Sequence, residues 1–185
     1  IYYMTNFFSL ILLVASLSME SGYTYFTSAN TIDANKLAWF SLVWTSLLSI
    51  ITALMVWIYF VKFRTISTED FHHYLLYALT YIAGIILMNF FSVLFYAQKN
   101  FIVPNAIMAL CNLALCIFIY LNFNRSDNYN IIVNAYFISI LIQGMLLALA
   151  FMFMNKSFSN IGFPTLIELK QLLQYSLVAL AGNLI

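Results

Sequence analysis

The chain alternates long apolar runs with short polar breaks. Five runs are long enough to cross a bilayer as helices, which takes about 20 residues: 5–26, 37–61, 74–97, 101–123 and 129–154. A sixth begins at Tyr175 and reaches the last residue. The breaks, 28–36, 62–73, 98–100, 124–128 and 155–174, are short enough to make successive helices antiparallel neighbours. The pattern predicts an all-α fold, a polytopic transmembrane helix bundle with five full spans plus the start of a sixth.

The last break carries a finer signal. In "FPTLIELKQLLQYSL", Pro164 precedes Thr165, and Glu168 follows three residues later, the pattern of a capping box. A helix is expected to begin there. Leu166, Ile167, Leu169, Leu172 and Leu173 alternate with Glu168, Lys170, Gln171 and Gln174, so the segment is expected to lie on the membrane surface before turning into the next span. A plain connector is the other reading. The chain thus divides into a transmembrane bundle over 1–164 and an amphipathic juxtamembrane helix over 165–185.

Polar positions inside the runs are few and fall on faces. At 100° per residue, Thr5, Asn6, Ser9, Leu13, Ser16, Tyr23, Thr24 and Thr27 lie within about 60° of Glu20, and all but Leu13 carry a polar group. A carboxylate facing lipid costs at least about 2.5–3.5 kcal/mol, so this stripe is expected to face protein or a hydrated cavity. Alternatively, Glu20 snorkels to the head groups from near its helix end. Weaker stripes recur: Ser41, Thr45, Ser49, Thr52 and Tyr59; Asn89, Ser92 and Tyr96; Asn105, Asn112 and Cys116; Tyr136, Ser139 and Gln143. Singly, each fits ordinary packing between membrane helices. Together they suit a bundle around a hydrophilic cavity.

Composition narrows the function classes. Of 185 residues, 64% are hydrophobic and 7% charged, against about 25% charged in soluble domains, which excludes an ordinary soluble domain. A net charge of +1 supplies no electrostatic footprint for nucleic acid. The chain opens on Ile1 without a basic leader, so the first run is not read as a signal peptide. Both ends read as cuts, giving an internal piece of a larger polytopic protein. Lys36, Lys99, Lys156 and Lys170 fall on one side of the alternation, and Lys62, Arg64 and Arg125 on the other, a slight lean toward placing the first set in the cytoplasm. The sequons at Asn124 and Asn155 flank one span, face opposite sides and are taken as chance.

Catalytic constellations are absent from the pattern. His72 and His73 sit beside Glu69 and Asp70 at a span's edge and read as interfacial anchors. Cys111 and Cys116 share one apolar run and read as buried thiols, neither a disulfide nor a metal pair. No metal, no cofactor and no enzyme activity are expected.

Three stretches resemble polysaccharide flippases of the Wzx type, within the multidrug, oligosaccharidyl-lipid and polysaccharide exporter superfamily. "SMESGYTYFTSAN" resembles the ending of that family's second helix, "FYAQKNFIVPNAIMALCNLALCIFI" its fourth-to-fifth helix connection, and "LKQLLQYSLVALAGNLI" the entry to its seventh helix. The order and spacing of all three agree. The chain departs at Tyr25, where relatives often have Arg, and at Val178, where many have Pro. The resemblance implies helices two to six plus the start of seven, in a protein of two six-helix halves. It implies transport of an undecaprenyl-pyrophosphate-linked oligosaccharide, such as an O-antigen unit, across the bacterial inner membrane. Membrane lipids and a glycan polymerase or other pathway components would be its partners. Glu20, Tyr23, Thr24, Thr45, Asn89, Asn112 and Gln143 are then the expected substrate or coupling residues. Lys36, Lys99 and Lys170 are expected to collect the head group at the cytoplasmic mouth. Two other classes stay open: a cation-coupled multidrug exporter of the MATE type, using Glu20, and a polytopic membrane enzyme of glycan assembly.

Overall fold

The computed structural model describes residues 5, 6, 8, 9, 11, 12, 16–63, 68–122 and 129–183. Leu13, Arg64, Asn124 and Arg125, and the side chains of Tyr59, Lys62, Glu69, Asp70 and His72, lie outside the described residues. What is described is all-helical: α1 (Met19–Ser28), α2 (Ala34–Phe63), α3 (Thr68–Ala97), α4 (Ile102–Asn122), α5 (Tyr129–Met154) and α6 (Leu166–Asn183). Residues 5, 6, 8, 9, 11 and 12 are also helical.

Among the described residues, four stretches are long and apolar enough to cross a membrane, Ala34–Ile58, His73–Ala97, Ile102–Asn122 and Asn130–Met154. These match four of the five expected spans and make this a multi-pass membrane protein by length and composition. The first expected span, 5–26, is not among them. Leu17 and Ser18 adopt left-handed φ values of 48° and 52°, where L-residues are disfavoured by their Cβ. The amide of Met19 turns back onto the carbonyl of Ser16 at 2.9 Å, and that of Ser21 onto Ser18 at 3.1 Å. The run from 5 to 26 is therefore interrupted at Leu17 and Ser18, and α1 that follows has only 10 residues.

α3 is the central helix, packed against α1, α2 and α5. Its crossing with α5 is made by two glycines. A Cβ on Gly84 would stand 2.6 Å from the carbonyl of Ile140, and one on Gly144 would stand 2.5 Å from the carbonyl oxygen of Gly84. Only hydrogen side chains let the two backbones approach this closely, as small residues do between membrane helices. Aromatic rings fill the space on either side of the crossing: Tyr77 stacks on Phe137 with centroids 4.6 Å apart, and Phe95 meets Phe151 edge-on at 5.1 Å.

α6 begins at Leu166 with the expected capping box. The Thr165 amide donates to Glu168 Oε2 at 2.6 Å, and the Glu168 amide to Thr165 Oγ1 at 3.3 Å. The helix then runs unbroken to Asn183 and lies across α1, with Leu172 and Ser176 seated on Gly22. α4 leans chiefly on α5 and is otherwise outward-facing. This corrects the expectation of two buried thiols. Both cysteines are free, Cys111 is half-buried and Cys116 is exposed, because among the described residues no helix covers the face of α4 that carries Cys116.

At one end of the bundle three connections are tied together. Lys36 Nζ contacts both carboxylate oxygens of Glu168, at 3.0 and 3.2 Å. Trp39 Nε1 donates to the carbonyl of Ser157, whose hydroxyl donates to Asn35 Oδ1, and Gln98 Nε2 donates to Asn155 Oδ1. The alternation of spans puts these three connections on the same side, and the contacts agree.

Candidate functional site

The helix break creates the most chemically loaded place among the described residues. α1 restarts at Met19, and its N-cap residue Ser18 makes no side-chain cap. Glu20 stands in this first turn, where the helix dipole favours a negative charge. Across from it, Tyr81, Ile85 and Asn89 come from one face of α3, four residues apart each time.

Between them lies a cleft of about 220 Å³, lined by Ser9, Leu12 and Ser16 before or at the break, Glu20 after it, and the α3 face. Asn89 Nδ2 donates to Glu20 Oε1 at 3.2 Å. Ser9 Oγ and the Tyr81 hydroxyl are 3.1 Å apart. Ile86 and Phe90 form an apolar wall, at 1% and 0% exposure. The cleft thus offers a carboxylate, an amide and three hydroxyls, drawn from both walls, beside hydrocarbon. Among the described residues, Glu20 has no Lys or Arg partner; the ion pair found there is Lys36 with Glu168.

The remaining expected site residues are distributed. Tyr23, three residues along α1 from Glu20, is fully buried and does not line the cleft; its ring lies 4.9 Å from Phe90 and its hydroxyl 3.0 Å from Ser41 Oγ. Thr45 is buried in α2 and bonds the carbonyl of Ser41 at 2.7 Å. Thr24 is exposed and bonds the carbonyl of Glu20 in its own helix at 2.9 Å. Asn112 and Gln143 meet each other, with Gln143 Nε2 donating to Asn112 Oδ1 at 2.8 Å between α4 and α5. The structure therefore brings Glu20 and Asn89 together in one cleft, pairs Asn112 with Gln143 elsewhere, and leaves Tyr23, Thr24 and Thr45 outside both places.

The three lysines separate as well. Lys36 is held by Glu168, while Lys99 and Lys170 are exposed. Glu168 lies outside the spanning helices, and its carboxyl is held below the usual carboxylate range, first by the Thr165 amide and then by Lys36. The sequence reading missed Tyr81, although its eight-residue separation from Asn89 on one helix was a usable signal. No group of three or more His, Cys, Asp or Glu side chains suited to a metal occurs among the described residues. Comparison with protein-family models, with curated proteins and with solved structures finds no match for this chain, and no family is assigned to it.

Proposed function

We propose that this protein is a transporter that moves a lipid-linked oligosaccharide between the leaflets of the bacterial inner membrane, without catalysing a reaction. The observation that carries the reading is a broken helix beside a polar cleft in an otherwise apolar bundle. Irregular backbone at membrane depth persists where it is covered by protein or lines a hydrated cavity, and interrupted helices are a recurrent way to build transport sites. A sugar ring presents several hydroxyls, each donor and acceptor. The Glu20 carboxylate, the Asn89 amide and the hydroxyls of Ser9, Ser16 and Tyr81 supply matching partners. The volume sets a limit. Ligand pockets usually enclose about 300–1,000 Å³, so this cleft suits a single ring and not a whole repeat unit. It also lacks a cation, so it suits the sugar and not the diphosphate.

One observation favours a second reading. A Glu20 carboxylate that meets no Lys or Arg among the described residues resembles a coupling site in a cation-driven exporter. Glu20→Gln distinguishes the two. Under the glycan reading, transport of the lipid-linked oligosaccharide falls while the amount of inserted protein stays normal. Under the exporter reading, efflux of cationic drugs loses its dependence on the driving cation. Unchanged transport of both would remove Glu20 from either mechanism.

A further inference from the structure

A second cleft, of about 560 Å³, lies where α1 ends, α2 begins and α3 ends. Thr27, Ser28, Asn30, Asp33, Gln98 and Lys99 give it its polar lining. It shares no residue with the Glu20 cleft. Two membrane-spanning stretches, Ala34–Ile58 and His73–Ala97, begin and end on its rim, which sets it at the depth of the lipid head groups.

Its charges are arranged unusually. Asp33 and Lys99 both line the cleft, yet they form no ion pair with each other. Asp33 Oδ1 accepts the Asn35 amide at 2.9 Å as the cap of α2, and Lys99 Nζ has no partner among the described residues. The Thr27 hydroxyl, in a residue only 7% exposed, also lacks a partner among the described residues. A lone anion drawn to Lys99 is opposed by Asp33, and a lone cation drawn to Asp33 is opposed by Lys99. A ligand that carries both signs on neighbouring groups satisfies the two together. Immediately after Lys99 and Asn100 in sequence come Phe101 and Ile102, apolar and 55% and 81% exposed.

We propose that this cleft holds the head group of a zwitterionic phospholipid with a primary ammonium and a phosphate. Asp33 takes the ammonium. Lys99 takes the phosphate, with the side-chain amide of Asn30 and the second amide hydrogen of Gln98 on the remaining oxygens. The acyl chains follow the surface at Phe101 and Ile102. A quaternary ammonium cannot donate a hydrogen bond to Asp33, and a glycerol head group has no cation, so selectivity is part of the proposal. It rests on the cleft and its place at the ends of two membrane-spanning stretches, and does not depend on what the protein transports.

The test is native mass spectrometry of the whole protein, released from micelles containing equal amounts of phosphatidylethanolamine, phosphatidylcholine and phosphatidylglycerol with identical chains. Preferential retention of phosphatidylethanolamine is expected. Asp33→Asn and Lys99→Gln should each lower that retention on the order of tenfold. Asparagine caps helices as well as aspartate does, so Asp33→Asn removes the charge and keeps the start of α2. Lys99→Arg keeps the cation and should retain the lipid. Equal or greater retention of phosphatidylglycerol, or retention indifferent to Asp33→Asn in a protein of unchanged melting temperature, overturns the assignment. Binding of soluble phosphoethanolamine as tight as that of the lipid overturns the lipid source.

Discussion

Replacing Gly144 by alanine should force α3 and α5 apart. The added methyl would lie 2.5 Å from the carbonyl oxygen of Gly84 and 2.9 Å from Leu87 Cβ. Carbon meets a carbonyl oxygen comfortably at roughly 3.3 Å, so the shortfall is about 0.8 Å. The nearest obstacle is backbone, which cannot rotate aside as a side-chain tip can. Overpacking of this kind costs about 1–3 kcal/mol, occasionally more. Separation would also loosen the Tyr77–Phe137 stack and the 2.7 Å hydrogen bond from the Tyr77 hydroxyl to Asn134. Gly84→Ala meets Ile140 and Leu141 in the same way, and the double variant should cost less than the two singles added, because the first methyl already opens the space for the second. Gly182 is the control. A Cβ there meets nothing within 4 Å, and alanine in a helix should be neutral or stabilising by about 0.5–1 kcal/mol. Equilibrium unfolding in mixed micelles by increasing denaturing detergent measures all four variants. A Gly144→Ala protein as stable as Gly182→Ala would refute the close crossing.

The remaining predictions concern polar contacts. Leucine at Asn112 or Gln143 should each cost about 0.6–2 kcal/mol in the same assay, with a double-variant cycle showing coupling, and additive losses would count against their hydrogen bond. Thr165→Ala should destabilise by about 1 kcal/mol through its cap, read as a lower melting temperature. Because the Glu168 carboxyl titrates below its ordinary 4.5 in the folded protein, its stabilisation is complete above that pH and fades as pH falls through the lower folded value. The melting-temperature gap between wild type and Glu168→Gln should therefore be constant near neutral pH and close in acid; a gap that widens in acid would contradict the sign. Cysteines placed at Ser28 and Ser159 should be labelled by an impermeant reagent from the same face of the membrane, since the connections carrying them meet at one end.

Periodicity revealed the elements whose cause is local. The capping box at Thr165 and Glu168 needs only residues three apart, and it appears where expected. Four of the spans needed only a count of apolar residues. The break at Leu17 and Ser18 was hidden because neither residue is glycine or proline, so no local chemistry marked a left-handed turn. Glu20 and Ser16 were found as one stripe, and Asn89 as another. That α3 is the helix facing that stripe follows from long-range ring packing, Tyr23 on Phe90 and Phe8 beside Tyr81, which hydropathy does not encode. The same limit separated Asn112 from Asn89: both are amides on apolar helices, but α4 lies on the far side of α5 from α1.

The loose seating of α4 has an evolutionary consequence. Among the described residues only 6% of its apolar stretch is covered within the protein, so most of its side chains answer to the surrounding lipid and not to neighbours. Leu110, Leu113, Ile117 and Leu121, all exposed, could exchange with any hydrocarbon of similar bulk without a matching change elsewhere. Substitutions among relatives should accumulate fastest along this helix, as drift among leucine, isoleucine, valine and phenylalanine. Asn112 should stand still within that drift. Its change would strand the amide of Gln143, 5% exposed, between two apolar helices.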